Sequence, residues 1–390
     1  MLECAMNTFV ALCALGAEKI LGNEIKLSGW QIAGGSPGRV YFRAPNDALY
    51  EANLCLRTCD RVCLMMAKFP AVNFDELFEG CYRVDWQDFF FKDVRVVIDK
   101  VRAYKSPLKS EHSIQSVVQK AIYTKLGDVW HMRTLPETGD AACVRVYMER
   151  GDAVILLDTS GEPLHKRGWR AEGGTAPLRE TVAAAMLQAT LWRRKIPLVD
   201  PFCASGTIPI EASLFACNAP AGLCRHFAYE NLAIYDHSVA QEIKRQEIAK
   251  IRTDVHYDIQ GSDIDTRMIE IAKANCENAL SSVERALKGV GTSFKLVRPV
   301  FTVCDFADLR SKEGDRGLIL CNPPFGKRLG EKQEAEDLYK KMGILAENFC
   351  GWTLAALSNQ ESFQECFGKK ASEVKRLRAG NLNTSLYIYR

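Results

Sequence analysis

Four short apolar runs in the second half of the chain each end on a polar side chain, and that succession constrains the fold more than any other feature. Residues 196–200 (Ile-Pro-Leu-Val-Asp) lead into the small-residue turn Cys203-Ala204-Ser205-Gly206, with Thr207 opening an apolar helix. Residues 258–263 end on Asp263 and precede a helical pattern over 267–280, residues 301–305 end on Asp305, and residues 318–322 (Leu-Ile-Leu-Cys-Asn) continue into Pro323-Pro324-Phe325. Short strands alternating with longer helices predict a parallel, doubly wound, Rossmann-like α/β sheet with polar groups gathered at the strand tips. The turn at 203–206 lets a ligand approach the backbone while helix N–H groups face its polar end. Two successive prolines cannot continue a ladder, so the chain leaves the sheet at Asn322 along a fixed path. Taken singly, Asp263 reads equally as a cap of the following helix and Asp305 as a turn cap. Their order at successive strand tips is the specific signal.

Composition narrows the setting. With 47% hydrophobic and 25% charged residues the chain is globular rather than disordered, and 390 residues leave room for two or three domains. No apolar stretch approaches the roughly 18–20 residues of a membrane span, and no basic segment precedes an apolar one at the start, so neither a span nor a secretory leader is expected. The fifteen cysteines are scattered and odd in number, which predicts reduced thiols in a cytoplasm. Cys55, Cys59 and Cys63 fall on one face of a helix predicted over 47–64 and read as core. No cluster of His, Cys or carboxylates has metal-ligand spacing, so no metal is expected.

The first half reads differently, as short mixed elements. A helix is expected over 7–23, interrupted by Gly16 and Gly22, then a turn-rich loop at 34–38 and an extended run over 39–43. A β-branched strand follows over 94–101, a helix over 113–126 stopped by Gly127, and a hairpin of 143–148 with 154–158 across Arg150-Gly151-Asp152. Between residues 92 and 133 nine Lys and Arg stand against four Asp and Glu, a local excess of five where the whole chain carries +3. That excess suits either a solvated surface or an anionic polymer, with Lys100, Arg102 and Lys105 as candidate phosphate contacts. The joint at 164–177 carries Lys166, Arg167, Trp169 and Arg170. It reads either as a nucleic-acid contact with Trp169 stacking on a base, or as a linker whose tryptophan packs on the next domain. Pro177 then opens a helix expected to run to about residue 192.

Taken together, Lys-Arg-Gly-Trp-Arg at 166–170, Ala-Pro-Leu-Arg-Glu-Thr at 176–181, Asp-Pro-Phe-Cys-Ala-Ser-Gly-Thr-Ile-Pro-Ile-Glu at 200–211, Gly-Ser-Asp-Ile-Asp at 261–265, Cys-Asp-Phe at 304–306 and Asn-Pro-Pro-Phe-Gly-Lys-Arg-Leu-Gly at 322–330 resemble the THUMP-bearing RNA guanine-N2 methyltransferases, in the style of the N-terminal half of the bifunctional bacterial 23S rRNA enzyme. The resemblance implies a class I S-adenosylmethionine-dependent methyltransferase domain over 178–390 behind a linker at 161–177. It further implies a small α+β region ahead of it, ferredoxin-like over 1–46 and THUMP-like over 47–160, that binds structured RNA. It implies that Asp200, Phe202, Cys203, Ala204, Ser205, Gly206 and Thr207 hold the methionine part of the cofactor. Asp263 would hold the ribose and Asp305 the adenine amino group, with Ile264 and Phe306 also bordering the cofactor. Asn322, Pro323 and Phe325 would meet the target base, Asn322 also bordering the cofactor. The implied substrate is guanine N2 in 23S rRNA. Guanine N2 in tRNA, adenine N6 in RNA or DNA, and an RNA-binding protein with a vestigial pocket stay open as alternatives. One position departs from the pattern: Ala204 stands where the family has glycine, and either its methyl group crowds the cofactor or its backbone must adopt a φ that alanine resists.

Overall fold

The computed structural model describes residues 6–174, 177–311, 316–325 and 329–390. Residues 7–13 carry apolar side chains that suit either period, and pairing with a strand on each side makes them extended. The helix expected over 7–23 is therefore a strand, β1 (Met6–Cys13), followed by a turn and α1 (Glu18–Leu27). Gly16 makes that turn at φ +93°, where a Cβ would lie 2.0 Å from the carbonyl oxygen of Arg376. After β2 (Gln31–Ser36) and β3 (Arg39–Pro45), the segment expected as one helix over 47–64 splits into α2 (Ala48–Cys55) and β4 (Cys59–Pro70). Cys55 ends a helix, while Cys59 and Cys63 pack in separate apolar clusters, so the three thiols share no face.

Helix α3 (Phe74–Tyr82) leads to β5 (Arg95–Tyr104) and α4 (Glu111–Trp130). Gly127 lies inside α4, which ends instead where His131 turns left-handed at φ 56°. Strands β6 (Ala141–Glu149) and β7 (Asp152–Asp158) form the expected hairpin, and its tip residues Arg150 and Gly151 both have positive φ, the twist-matched geometry of tight hairpins. These strands form one sheet in the order β2-β3-β1-β4-β7-β6-β5, antiparallel except for β5 with β6. Strands from both sides of residue 46 thus share one sheet.

The second half follows the succession of strand tips. Helix α5 (Glu180–Ala189) starts three residues after Pro177 and ends before Trp192. Then come β8 (Leu198–Asp200), α6 (Thr207–Ala216), α7 (His237–Ala249), β9 (Ile259–Asp263), α8 (Thr266–Gly289), β10 (Val300–Val303) and β11 (Leu318–Cys321). Helices α9 (Leu329–Lys341) and α10 (Gly343–Asn348), β12 (Thr353–Ser358), α11 (Phe363–Phe367), β13 (Glu373–Arg376) and β14 (Ser385–Tyr389) complete it. The sheet order is β10-β9-β8-β11-β12-β14-β13, parallel from β10 to β12, with β14 antiparallel between β12 and β13. Chain order reverses between β8 and β11, which opens a crevice outside the carboxyl ends of those strands. One apolar core, including Phe9, Leu21, Val182, Leu198 and Leu320, joins the two halves. No helix among the described residues is long and apolar enough to cross a membrane.

Candidate active site at the strand switch point

Asp200 closes β8 on one side of the crevice and Asn322 follows β11 on the other. Asp200 is 1% exposed and accepts from the backbone N–H of Phe202 at 3.1 Å. Burial pushes its carboxyl well above the usual range, and the nearby Asp263 adds to this. The turn behind it is tight: the Gly206 N–H donates to Cys203 O at 2.8 Å, and Cys203 N–H to Ser262 O at 2.9 Å. Gly261 lets the two tips meet, since a Cβ there would come within 3.0 Å of both Cys203 Cβ and the Phe301 ring. Ala204 sits at φ +44°, the left-handed conformation its side chain resists, with its methyl group exposed. Its N–H donates to Asp263 Oδ2 at 3.0 Å. Gly206, at φ +86°, opens α6 with no side-chain cap, leaving first-turn N–H groups facing the crevice.

Asp263 does not cap α8. Asp265 does, accepting from the N–H groups of Arg267 and Met268, while the half-buried Asp263 accepts from the Asp265 N–H through Oδ1 at 3.0 Å and from the turn through Oδ2. Ile264 beside it is 72% exposed, and Ser262 Oγ is buried without a partner. Asp305 is exposed and also caps a short turn through the Ala307 N–H at 2.9 Å. Phe306 is buried against Phe202, ring centroids 5.0 Å apart. An exposed apolar side chain, two carboxylates and an uncapped helix along one crevice fit a nucleoside with a polar amino-acid tail.

The tip of β11 is finished differently. Tyr339 O–H donates to Pro324 O at 3.0 Å, Ser358 O–H to the Tyr339 oxygen at 3.2 Å, and Gln360 Nε2 to Phe325 O at 2.7 Å. Burial pushes Tyr339 up to about 12, so it stays a neutral donor. Pro323 is buried, Pro324 exposed and Phe325 half-buried. Within this braced loop Asn322 Oδ1 is buried with no hydrogen-bond partner among the described residues, an arrangement that costs about 1–3 kcal/mol unless a ligand supplies a donor. Burial also pushes the thiols of Cys203 and Cys321 up, so neither is a thiolate nucleophile near neutral pH.

At the joint, burial takes Arg167 and Trp169 away from any surface contact with RNA. Trp169 is 3% exposed and packs in the core under α6 and α8, which removes it from base stacking. Arg167 is buried in an ion pair with Glu211 at 3.1 Å. Arg170 grips the turn after β8: its guanidinium donates to Glu180 at 2.8 Å, to Ser205 Oγ and Thr207 Oγ1 at 2.9 Å each, and to Leu178 O at 3.2 Å. Of the four, only Lys166 is exposed, paired with Glu162. Sequence reasoning also missed Asn275, which ties α8 to Ser205 O and to the joint at 171–172. A lone amide on the apolar stripe of Ile271, Ala272, Cys276 and Ala279 was its signal. Lys100, Arg102 and Lys105 lie on or just after the edge strand β5. There Arg102 pairs with Glu111 at 3.3 Å and the Lys105 ammonium stands 5.4 Å from the exposed ring of Tyr104. No group of His, Cys or carboxylates among the described residues is placed to hold a metal.

The sheet order, the crevice at its switch point and the Asn-Pro-Pro-Phe loop beside it define a class I S-adenosylmethionine-dependent methyltransferase. More narrowly, the chain belongs to the RMKL-like methyltransferase domain family, UPF0020, whose model matches residues 167–388. A model of the RlmL ferredoxin-like domain matches residues 8–63. A Bacillus subtilis protein, YpsC, provisionally named an RNA methyltransferase, is 36% identical over 98% of this chain and 95% of its own length. The ribosomal RNA large subunit methyltransferase K/L of Shewanella pealeana is 30% identical over 98% of this chain, which spans only 53% of that protein. Among solved structures, SMU.472, provisionally called a methyltransferase and solved with SAH, is 31% identical with a TM-score of 0.86 over 98% of both chains. A Listeria monocytogenes chain, named by prediction an N6-adenine-specific DNA methylase, is 34% identical with a TM-score of 0.87, covering 99% of this chain and 96% of that one.

Proposed function

We propose that this methyltransferase acts on RNA, at the exocyclic N2 of a guanine, with large-subunit ribosomal RNA as the favoured substrate. The observation that carries the reading is the buried, unpartnered carbonyl oxygen of Asn322 at the switch point. The cofactor supplies an electrophilic methyl group. Asp263 would hold its ribose hydroxyls, with Ile264 against the adenine face, and Asp305 would accept from the adenine amino group beside Phe306. The turn from Asp200 through Phe202, Cys203, Ala204, Ser205 and Gly206 to Thr207 would cradle the methionine portion. An exocyclic amine is a weak nucleophile because its lone pair is delocalised into the ring. Asn322 Oδ1 and the Pro323 carbonyl would accept its two N–H bonds and so turn the lone pair toward the methyl group. Phe325 would stack on the base once it leaves its helix. Alignment supplies most of the acceleration in such a site, so no strong base is required. The ring of Tyr104 and the cations Lys100, Arg102 and Lys105 would grip the RNA backbone, read mainly by shape.

Purified protein with isotopically labelled S-adenosylmethionine and unmodified RNA or DNA, followed by separation of the digested nucleosides, tests the reading. Label in N2-methylguanosine from RNA alone is the expected result. Label in N6-methyladenine would replace the substrate while keeping the site.

A further inference from the structure

We infer that Asn359, the first residue beyond β12, is a specificity-determining residue that accepts a hydrogen bond from N1–H of the target guanine; the inference deepens the guanine reading and rests on it. Asn322 is likewise the first residue beyond β11, and the two strands are parallel neighbours with Cys321 opposite Ala356. Extending that register sets Asn322 opposite Leu357, so Asn359 lies two residues further along on the same side of the pleat. The spacings of a parallel sheet then separate the two Cα atoms by roughly 8 Å, close enough for both amides to meet one base.

The segment around Asn359 is already part of the catalytic loop's support. Ser358 reaches Pro324 O through Tyr339, and Gln360 Nε2 donates to Phe325 O at 2.7 Å. Gln360 is itself fixed, with its N–H donating to Ser358 Oγ at 3.1 Å and its carbonyl accepting from Tyr387 O–H at 3.2 Å. Between these anchored neighbours, Asn359 Oδ1 is buried with no partner among the described residues, as Asn322 Oδ1 is. Nearly all buried polar atoms in folded proteins are paired, so two orphaned carbonyl oxygens at adjacent strand tips point to a ligand that brings donors. Guanine presents N1–H and the N2 amine side by side. Adenine presents one amine beside a bare N1 lone pair, which would face the Asn359 oxygen and leave it unsatisfied. A site built to receive a donor rejects an analogue that lacks it far more strongly than an apolar pocket does.

The test uses the full chain, labelled S-adenosylmethionine and an unmodified ribosomal RNA transcript. Asn359→Ala should lower kcat/KM about 10- to 100-fold, with SAH affinity and melting temperature close to those of the unsubstituted protein. Asn359→Asp keeps an acceptor and cannot donate, so it should retain most of the activity that Asn359→Ala loses. Unchanged turnover in Asn359→Ala, equal loss in Asn359→Asp, or loss of SAH affinity in step with turnover would each overturn the assignment. N6-methyladenosine made by the unsubstituted protein would instead overturn the guanine reading, before any variant is compared.

Discussion

At the tip of β8 the turn at 204–207 is held by side chains from other elements, whereas at the tip of β11 the backbone is tied and the side chain is left open. Arg170 and Asn275 hold the turn at Ser205 and Thr207, and Asp263 takes the Ala204 N–H. Across the crevice, Tyr339 and Gln360 hold Pro324 and Phe325 by their carbonyls, yet Asn322 Oδ1 has no partner. Under the proposed function the difference separates two tasks. A turn that must fit a fixed cofactor gains from being rigid before binding, because less ordering then opposes the bound state. A carbonyl that must orient a weak nucleophile has to stay unsatisfied until the base arrives, and the surrounding structure offsets that cost.

The largest effect should come from damaging the open tip alone. Asn322→Ala is expected to lower kcat about 1,000-fold or more while SAH affinity, measured by calorimetry, stays within about threefold; parallel loss of both would erase the distinction between the tips. Damage to the closed tip should do the reverse. Arg170→Ala is expected to weaken SAH binding about 10- to 100-fold. Arg170→Lys should be intermediate, because an ammonium cannot reproduce a forked guanidinium. If turnover at saturating cofactor falls as far as affinity, Arg170 does not act through the turn. Replacing Lys100, Arg102 and Lys105 together with Ala touches neither tip. RNA binding should weaken roughly tenfold, with a slope against log salt shallower by about two, and SAH affinity should not move. The smallest effect is expected of Ala204→Gly. Relief of a left-handed alanine is partly cancelled by the greater freedom of unfolded glycine, so melting should rise by about a degree or two, with SAH affinity equal or up to about threefold tighter.

Much of the catalytic half was legible because its signals are local. Asp200, Asp263, Asp305 and Asn322 stand at strand ends that apolar runs announce, and the φ of Ala204 follows from the small-residue turn around it. The N-terminal half was less legible. Residues 7–13 contain apolar side chains that suit either period, and only pairing with β3 and β4 makes them a strand. The segment 47–64 looked continuous until neighbouring strands claimed its second part. At the joint, Arg167, Trp169 and Arg170 carry the composition of an RNA contact, but burial decides their role, and burial depends on which surfaces the two halves bring together.

The sequence by itself determined the strand ends at Asp200, Asp263, Asp305 and Asn322, the tight turn at 203–206 and the exit of the chain at Asn322, because each depends on near neighbours. Only the tertiary structure decided which groups are paired. Arg170 reaches residues 205 and 207, Asn275 reaches 205, and Gln360 reaches 325 across gaps of tens of residues. Whether a carbonyl oxygen such as that of Asn322 or Asn359 is left without a donor depends on everything packed around it, and no local pattern carries that information.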